Sequence, residues 1–164
     1  RTHNIAEAPA YPVFSISILS KTMRRVLSDY RDILLEKSPN SGRSELRNAI
    51  RLYLIRNRGI SVGEEQIIIG SGAEYLYGLI IELLGRDKVY AIESPSYHKL
   101  EQIYKTQNAA YELLPLSDDG IDSAALASSK ADVLHTTPYR SFPTGITATA
   151  SKRHEYIRWA DKNQ

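Results

Sequence analysis

The apolar positions of this chain change their period partway along it. From about Ile18 to Lys37, the residues Ile18, Met23, Val26, Leu27, Tyr30 and Leu34 recur at the three- and four-residue steps of one helix face. Ser38-Pro39-Asn40-Ser41-Gly42 breaks that pattern. A second helix is predicted from about Ser44 to Arg56, with Leu46, Ile50, Tyr53 and Leu54 on one side. Ser44 is its predicted N-cap, and Glu45 puts a negative charge in the first turn, where the helix dipole favours one. After Arg58-Gly59 come short β-like runs: Gln66–Ile69, Val89–Ile92, Tyr111–Leu114 and Asp132–His135. Helical segments follow them in turn: Ala73–Leu84, Tyr97–Lys105, Ser123–Ala127 and Ser151–Ala160. Strand alternating with helix implies parallel β-α-β units, hence an α/β fold with a mostly parallel sheet and helices on both faces. Residues 1–17, with Pro9 and Pro12 and no sustained period, read as an arm or linker ahead of one domain over 18–164.

Composition narrows the function classes. With 42% hydrophobic residues the chain can bury a core, and a formal charge of +2 excludes a protein that coats polyanions. Lys and Arg are concentrated in residues 21–58 (Arg24, Arg25, Arg47, Arg51), but at helical spacing they read as the solvated faces of two amphipathic helices. The absence of cysteine excludes a disulfide framework, a thiolate zinc site and a cysteine nucleophile. No apolar run approaches the roughly 20 residues of a membrane span, so a cytoplasmic protein is expected. Met23 is the only methionine, and the last residues lie inside a predicted helix. Both ends therefore read as cut, and the chain as a piece of a longer polypeptide.

Three segments carry candidate chemistry. Gly70-Ser71-Gly72-Ala73-Glu74 lies where a strand is predicted to turn into a helix. Glycines allow close backbone approach there, and the free N–H groups of a helix's first turn suit an anion, with Ser71 as an extra donor. The spacing is neither a dinucleotide fingerprint nor a P-loop, and a tight turn without a ligand also explains it. Glu93-Ser94-Pro95-Ser96-Tyr97 follows the next strand, at the edge where open α/β sheets bind ligands; Tyr97 offers a ring for stacking or simply for packing. Thr136 to Gly145 forms a stiff loop after another strand, with hydroxyls and Arg140 as donors. His3, His98, His135 and His154 show no metal-ligand spacing, and no nucleophile–base pair stands out.

Taken in order, these segments resemble the large domain of fold type I pyridoxal-phosphate aminotransferases. The likeness rests on Gly42-Arg43-Ser44-Glu45-Leu46-Arg47-Asn48-Ala49-Ile50, Glu65 to Glu74, Glu93 to Tyr97, and Thr137-Pro138 to Pro143-Thr144-Gly145. It runs from about Lys21 to the last residue, as the N-terminal part of that domain. The loop Thr137–Gly145 and the helix Ser151–Ala160 are worded most like the aminotransferase-like domain of MocR-type regulators of the GntR family. In those regulators a winged-helix DNA-binding domain precedes the effector domain.

The resemblance implies that Gly72, Ala73 and Glu74, with Ser71 assisting, hold the phosphate of pyridoxal 5'-phosphate, while Tyr97 stacks on its ring. There are departures. Ordinary aminotransferases read Asn-Pro-Thr-Gly, whose Asn donates to the ring oxygen; Phe142 stands in that place. Lys37 to Ser41 offers no counterpart of the tyrosine that reaches a partner subunit's cofactor in many relatives. The family's Asp at the pyridine nitrogen, its Schiff-base lysine and its carboxylate-gripping Arg would all follow Gln164. The resemblance therefore implies an incomplete sheet and a chain inactive by itself. Three functions stand: a PLP-binding effector domain of a regulator, part of a true aminotransferase, or an α/β anion-binding or interaction domain outside the family. Expected partners are a second copy or the rest of the polypeptide, and an amino acid or vitamin B6 effector. DNA would be bound only through an upstream domain, and a membrane not at all.

Overall fold

The computed structural model describes residues 15–163, which fall into two compact units, one reaching to Ile69 and one beginning at Gly70. Of the expected arm, residues 1–14 lie outside the described residues, as does His3.

In the first unit, α1 (Ile16–Tyr30) is capped by Ser15, whose side chain accepts from the Ile18 N–H. The α-helix stops sooner than its apolar period suggests. Arg31 turns to φ +33° and a 3₁₀ turn, Arg31–Leu35, continues the path. Val26, Tyr30, Ile33 and Leu34 line a cavity of about 310 Å³ with Leu46. In α2 (Ser44–Arg58) the N-cap is Arg43, one residue earlier than predicted. The Ser44 hydroxyl is already engaged elsewhere, donating to Glu64 Oε1 at 2.6 Å. Arg47 pairs with the same carboxylate at 3.1 Å, tying α2 to a 3₁₀ turn at Glu64–Gln66. That turn overlaps the predicted strand Gln66–Ile69, which does not form. Ile69 donates to Ser41 O at 2.9 Å, but no ladder runs along the segment, and an apolar run without a partner strand has nothing to pair with.

The second unit is the α/β part. Its elements are α3 (Ala73–Leu84), β1 (Val89–Ser94), α4 (Lys99–Thr106), β2 (Ala110–Ser117), β3 (Gly120–Ile121), α5 (Ser123–Ser128), β4 (Val133–His135) and α6 (Ala150–Lys162). The sheet order is β3-β2-β1-β4. Strand β1 runs parallel to both neighbours, pairing Ile92 with Leu113 and His135, while β3 returns antiparallel on β2. The sheet is thus mixed and partial: among the described residues the outer edge of β4 carries no strand.

Strand periodicity divides the core. Tyr90 and Ile92 point to one face and pack with Ile81 of α3, Tyr104 of α4 and Ala109. Ala91 points to the other and packs with Leu114, Ile121, Leu126, Tyr156 and Trp159, under α5 and α6. Burial on both faces explains why β1 reads as a continuous apolar run. Lys152 of α6 is buried as well, its ammonium donating to Ile121 O at 2.7 Å and Ser123 Oγ at 2.6 Å.

Candidate functional site

The site residues all belong to the second unit and gather at the C-terminal end of β1 and the start of α3. Helix α3 opens behind Gly72, whose φ of +107° and ψ of 168° lie where residues with a Cβ are strained. That conformation turns the chain directly into the helix, and the Leu76 N–H closes the first turn on Gly72 O at 3.2 Å. No side chain caps the end. The N–H groups of Ala73, Glu74 and Tyr75 precede the first intrahelical bond and have no carbonyl behind them. A Cβ placed on Gly72 would meet nothing within 4 Å, so no side chain or backbone packs against this glycine. The helix dipole adds partial positive charge. A phosphate-sized anion fits this end of α3.

Ser71 is exposed beside it. Glu74 turns its carboxylate to Lys99 at 3.1 Å, and the Tyr97 hydroxyl reaches the same oxygen at 3.5 Å. Tyr97 therefore stands next to the first turn of α3, although 23 residues separate it from Glu74. The hydrogen bond and charge of Glu74 raise the Lys99 pKa above its ordinary value. The Tyr97 ring is half-buried, with His98 edge-on at 5.2 Å and Phe142 edge-on at 6.2 Å. The Tyr97 and Phe142 rings, with Tyr77, Thr137, Arg140 and Ser141, border a small pocket of about 140 Å³.

The third motif is drawn into the same place by a residue that motif reading passes over. Glu93 is 4% exposed at the end of β1. Its Oε1 accepts from the Thr136 hydroxyl and, at 2.9 Å, from the Thr137 N–H; its Oε2 accepts from the Ser141 hydroxyl at 2.7 Å. A signal exists in the sequence: a carboxylate directly after the buried run Val89–Ile92, in alternation with Ala91, has to find buried partners.

On the opposite face His135 is half-buried beside Tyr77, ring centroids 4.7 Å apart, and its Nδ1 lies 2.8 Å from the Tyr104 hydroxyl. Burial lowers the His135 pKa, against a smaller opposing pull from Glu93, and burial raises that of Tyr104. The phenol keeps its proton and shares a hydrogen bond with the imidazole, the direction of which is set by the histidine tautomer. Tyr104 belongs to the core cluster of Ile81, Tyr90 and Ile92, and both it and His135 line a cavity with Tyr77 and Ile80 of α3.

Comparison with known proteins adds to this geometry. The chain superposes on the kynurenine aminotransferase of Pyrococcus horikoshii with a TM-score of 0.80 at 24% identity, over 92% of this chain and 39% of that one. The chain has the aminotransferase fold. Among sequence relatives, the HTH-type transcriptional regulator YdeL of Bacillus subtilis is 28% identical over 151 residues, 92% of this chain and 33% of the regulator. The HTH-type pyridoxine biosynthesis transcriptional regulator PdxR of Corynebacterium glutamicum is 29% identical over 126 residues, 77% of this chain and 28% of that protein. No family model matches the chain. This aminotransferase-like chain thus spans about a third of the length of the curated relatives it matches. It is similar to fold type I aminotransferases in architecture and to HTH-type regulators in sequence, which sets aside the reading as an unrelated α/β domain. Among the described residues no helix is long and apolar enough to cross a membrane.

Proposed function

We propose that this chain is the part of a MocR-type regulator's aminotransferase-like effector domain that receives the phosphate and one ring face of pyridoxal 5'-phosphate. The observation that carries the reading is the placement of the Tyr97 ring beside the open, uncapped N-terminus of α3. The backbone N–H groups of Gly72, Ala73 and Glu74 and the hydroxyl of Ser71 are the donors offered to the phosphate. Tyr97 lends its face to the pyridine ring. The bound cofactor would supply an aldehyde that captures amines and a ring that withdraws electrons.

The chain's own residues bind and orient. Lys99, the lysine beside Tyr97, is paired with Glu74 at 3.1 Å, which raises its pKa and disfavours the neutral amine a Schiff base needs. The relatives favour an effector domain over part of a housekeeping transaminase, and so does Phe142. It is 65% exposed and has no polar atom with which to meet the ring oxygen. In this reading the rest of the polypeptide or a second copy completes the site, an amino acid or vitamin B6 compound is the effector, and DNA is bound by another domain of a cytoplasmic protein.

The test is an absorbance titration of the chain with PLP, beside its Ser71→Ala/Tyr97→Ala variant, followed by borohydride and mass analysis. Saturable binding that the variant loses, without a covalent adduct, is the expected result. Equal binding by the variant, or an adduct specific to Lys99, would overturn the assignment.

A further inference from the structure

The buried carboxylate of Glu93 faces no lysine or arginine within ion-pair distance among the described residues, and every donor it satisfies comes from one loop. The loop is compact in itself. The Ser141 N–H donates to Ile146 O at 2.8 Å, Gly145 to Ser141 O at 2.6 Å, and Ala148 to Pro138 O at 2.9 Å. The Arg140 N–H donates to Thr147 Oγ1 at 3.1 Å. Glu93 ties this folded loop to the end of β1, four residues before Tyr97. The loop in turn brings Thr137, Arg140, Ser141 and Phe142 to the pocket beside the Tyr97 ring.

We propose that Glu93 is a positioning residue that fixes loop 136–146 against Tyr97 and so shapes the pocket beside any ring stacked there. Only the second half of this statement rests on the cofactor reading above. The residue type follows from the donors. Three donors converge on the two oxygens, and a carboxylate meets them with acceptors alone. In Glu93→Gln the amide oxygen keeps Thr136 and Thr137, and the rotatable Ser141 hydroxyl turns to accept from the amide nitrogen. In Glu93→Ala all three donors are abandoned in a buried place.

The experiment is amide hydrogen exchange on the whole chain without PLP, read at Thr137, Ser141, Gly145 and Ala148, with Tyr90–Ile92 of β1 as internal reference. In Glu93→Ala these loop amides exchange at least about tenfold faster, because the three hydrogen bonds that hold the loop to β1 are lost. In Glu93→Gln they stay within about threefold of wild type. Ser141→Ala removes a single bond and leaves Glu93 in place, so it reports on the loop even if Glu93→Ala also loosens β1; its loop amides quicken and β1 does not. Loop exchange at the wild-type rate in Ser141→Ala and Glu93→Ala overturns the proposal. PLP titration of the same variants tests the second half. Affinity lowered by Glu93→Ala and kept by Glu93→Gln supports it, and a loosened loop with unchanged affinity overturns it. Failure of the wild-type chain to bind PLP would overturn the cofactor reading instead, and exchange would still decide the role of Glu93.

Discussion

Gly72→Ala tests the open end of α3 through a single methyl group. At φ +107° and ψ 168° a residue with a Cβ carries a torsional cost of about 1–3 kcal/mol. Steric cost adds nothing, because the new Cβ meets no atom within 4 Å. The strain must then emerge in one of two places. If the loop keeps its shape, the folded chain is destabilised by that amount, about 2–4 °C in Tm per kcal/mol for a chain of this length, and PLP affinity stays unchanged. If the loop relaxes, Tm is preserved but the N–H groups of Ala73 and Glu74 turn away. Bound phosphate must then restore the strained shape, raising Kd by about 5- to 150-fold. Thermal unfolding and a PLP titration on the same preparation measure both terms, and their sum is the informative quantity. A variant with wild-type Tm and wild-type PLP affinity would refute the reasoning. Either the glycine would not hold this conformation, or the phosphate would bind elsewhere.

Ser71→Ala is expected to leave Tm unchanged, since the exposed hydroxyl makes no hydrogen bond among the described residues, and to weaken PLP binding by roughly 2- to 10-fold. A Tm loss with unaltered affinity would count against Ser71 as a phosphate donor. Tyr156→Phe removes the acceptor 2.7 Å from the buried Ile121 N–H and should cost about 1–3 kcal/mol. Trp159, the sole tryptophan and a member of the same core cluster, reports the denaturant midpoint by fluorescence, and an unshifted midpoint would contradict the assignment. His135 makes stability depend on pH. Its folded pKa lies below the unfolded value of about 6.5, so the unfolded chain binds more protons as the medium acidifies. Its contribution is complete above about pH 6.5 and is lost as pH falls through the folded pKa. Denaturant melts from pH 7.5 to 5 should show that fall, flattened in His135→Gln; equal slopes in the two proteins would exclude His135 as its source.

Much of the α/β half is written locally. The run Ala73–Leu84 between Gly72 and Gly85 becomes α3 at the bounds its period implies, and alternation along β1 already separates Tyr90 and Ile92 from Ala91 and Glu93. These features are legible because burial acts residue by residue: a periodic apolar pattern states which face is covered, whatever covers it. The Gly-Ser-Gly turn and Tyr97 were legible only as candidates, the turn with an equally good structural explanation and Tyr97 with packing as the stronger one; the fold sets the Tyr97 ring beside the first turn of α3. Other decisions belong to the tertiary structure alone. Gln66–Ile69 has the composition of a strand, but a strand exists only with a partner, and among the described residues none pairs with it. Ser44 has the chemistry of an N-cap, but Glu64, 20 residues on, claims its hydroxyl. Glu93 shows only a charge at the end of an apolar run; the three donors that account for it lie 43, 44 and 48 residues away. Periodicity encodes what each segment must bury, whereas pairing, capping and hydrogen-bond ownership are contests between segments, settled only when the chain brings them together.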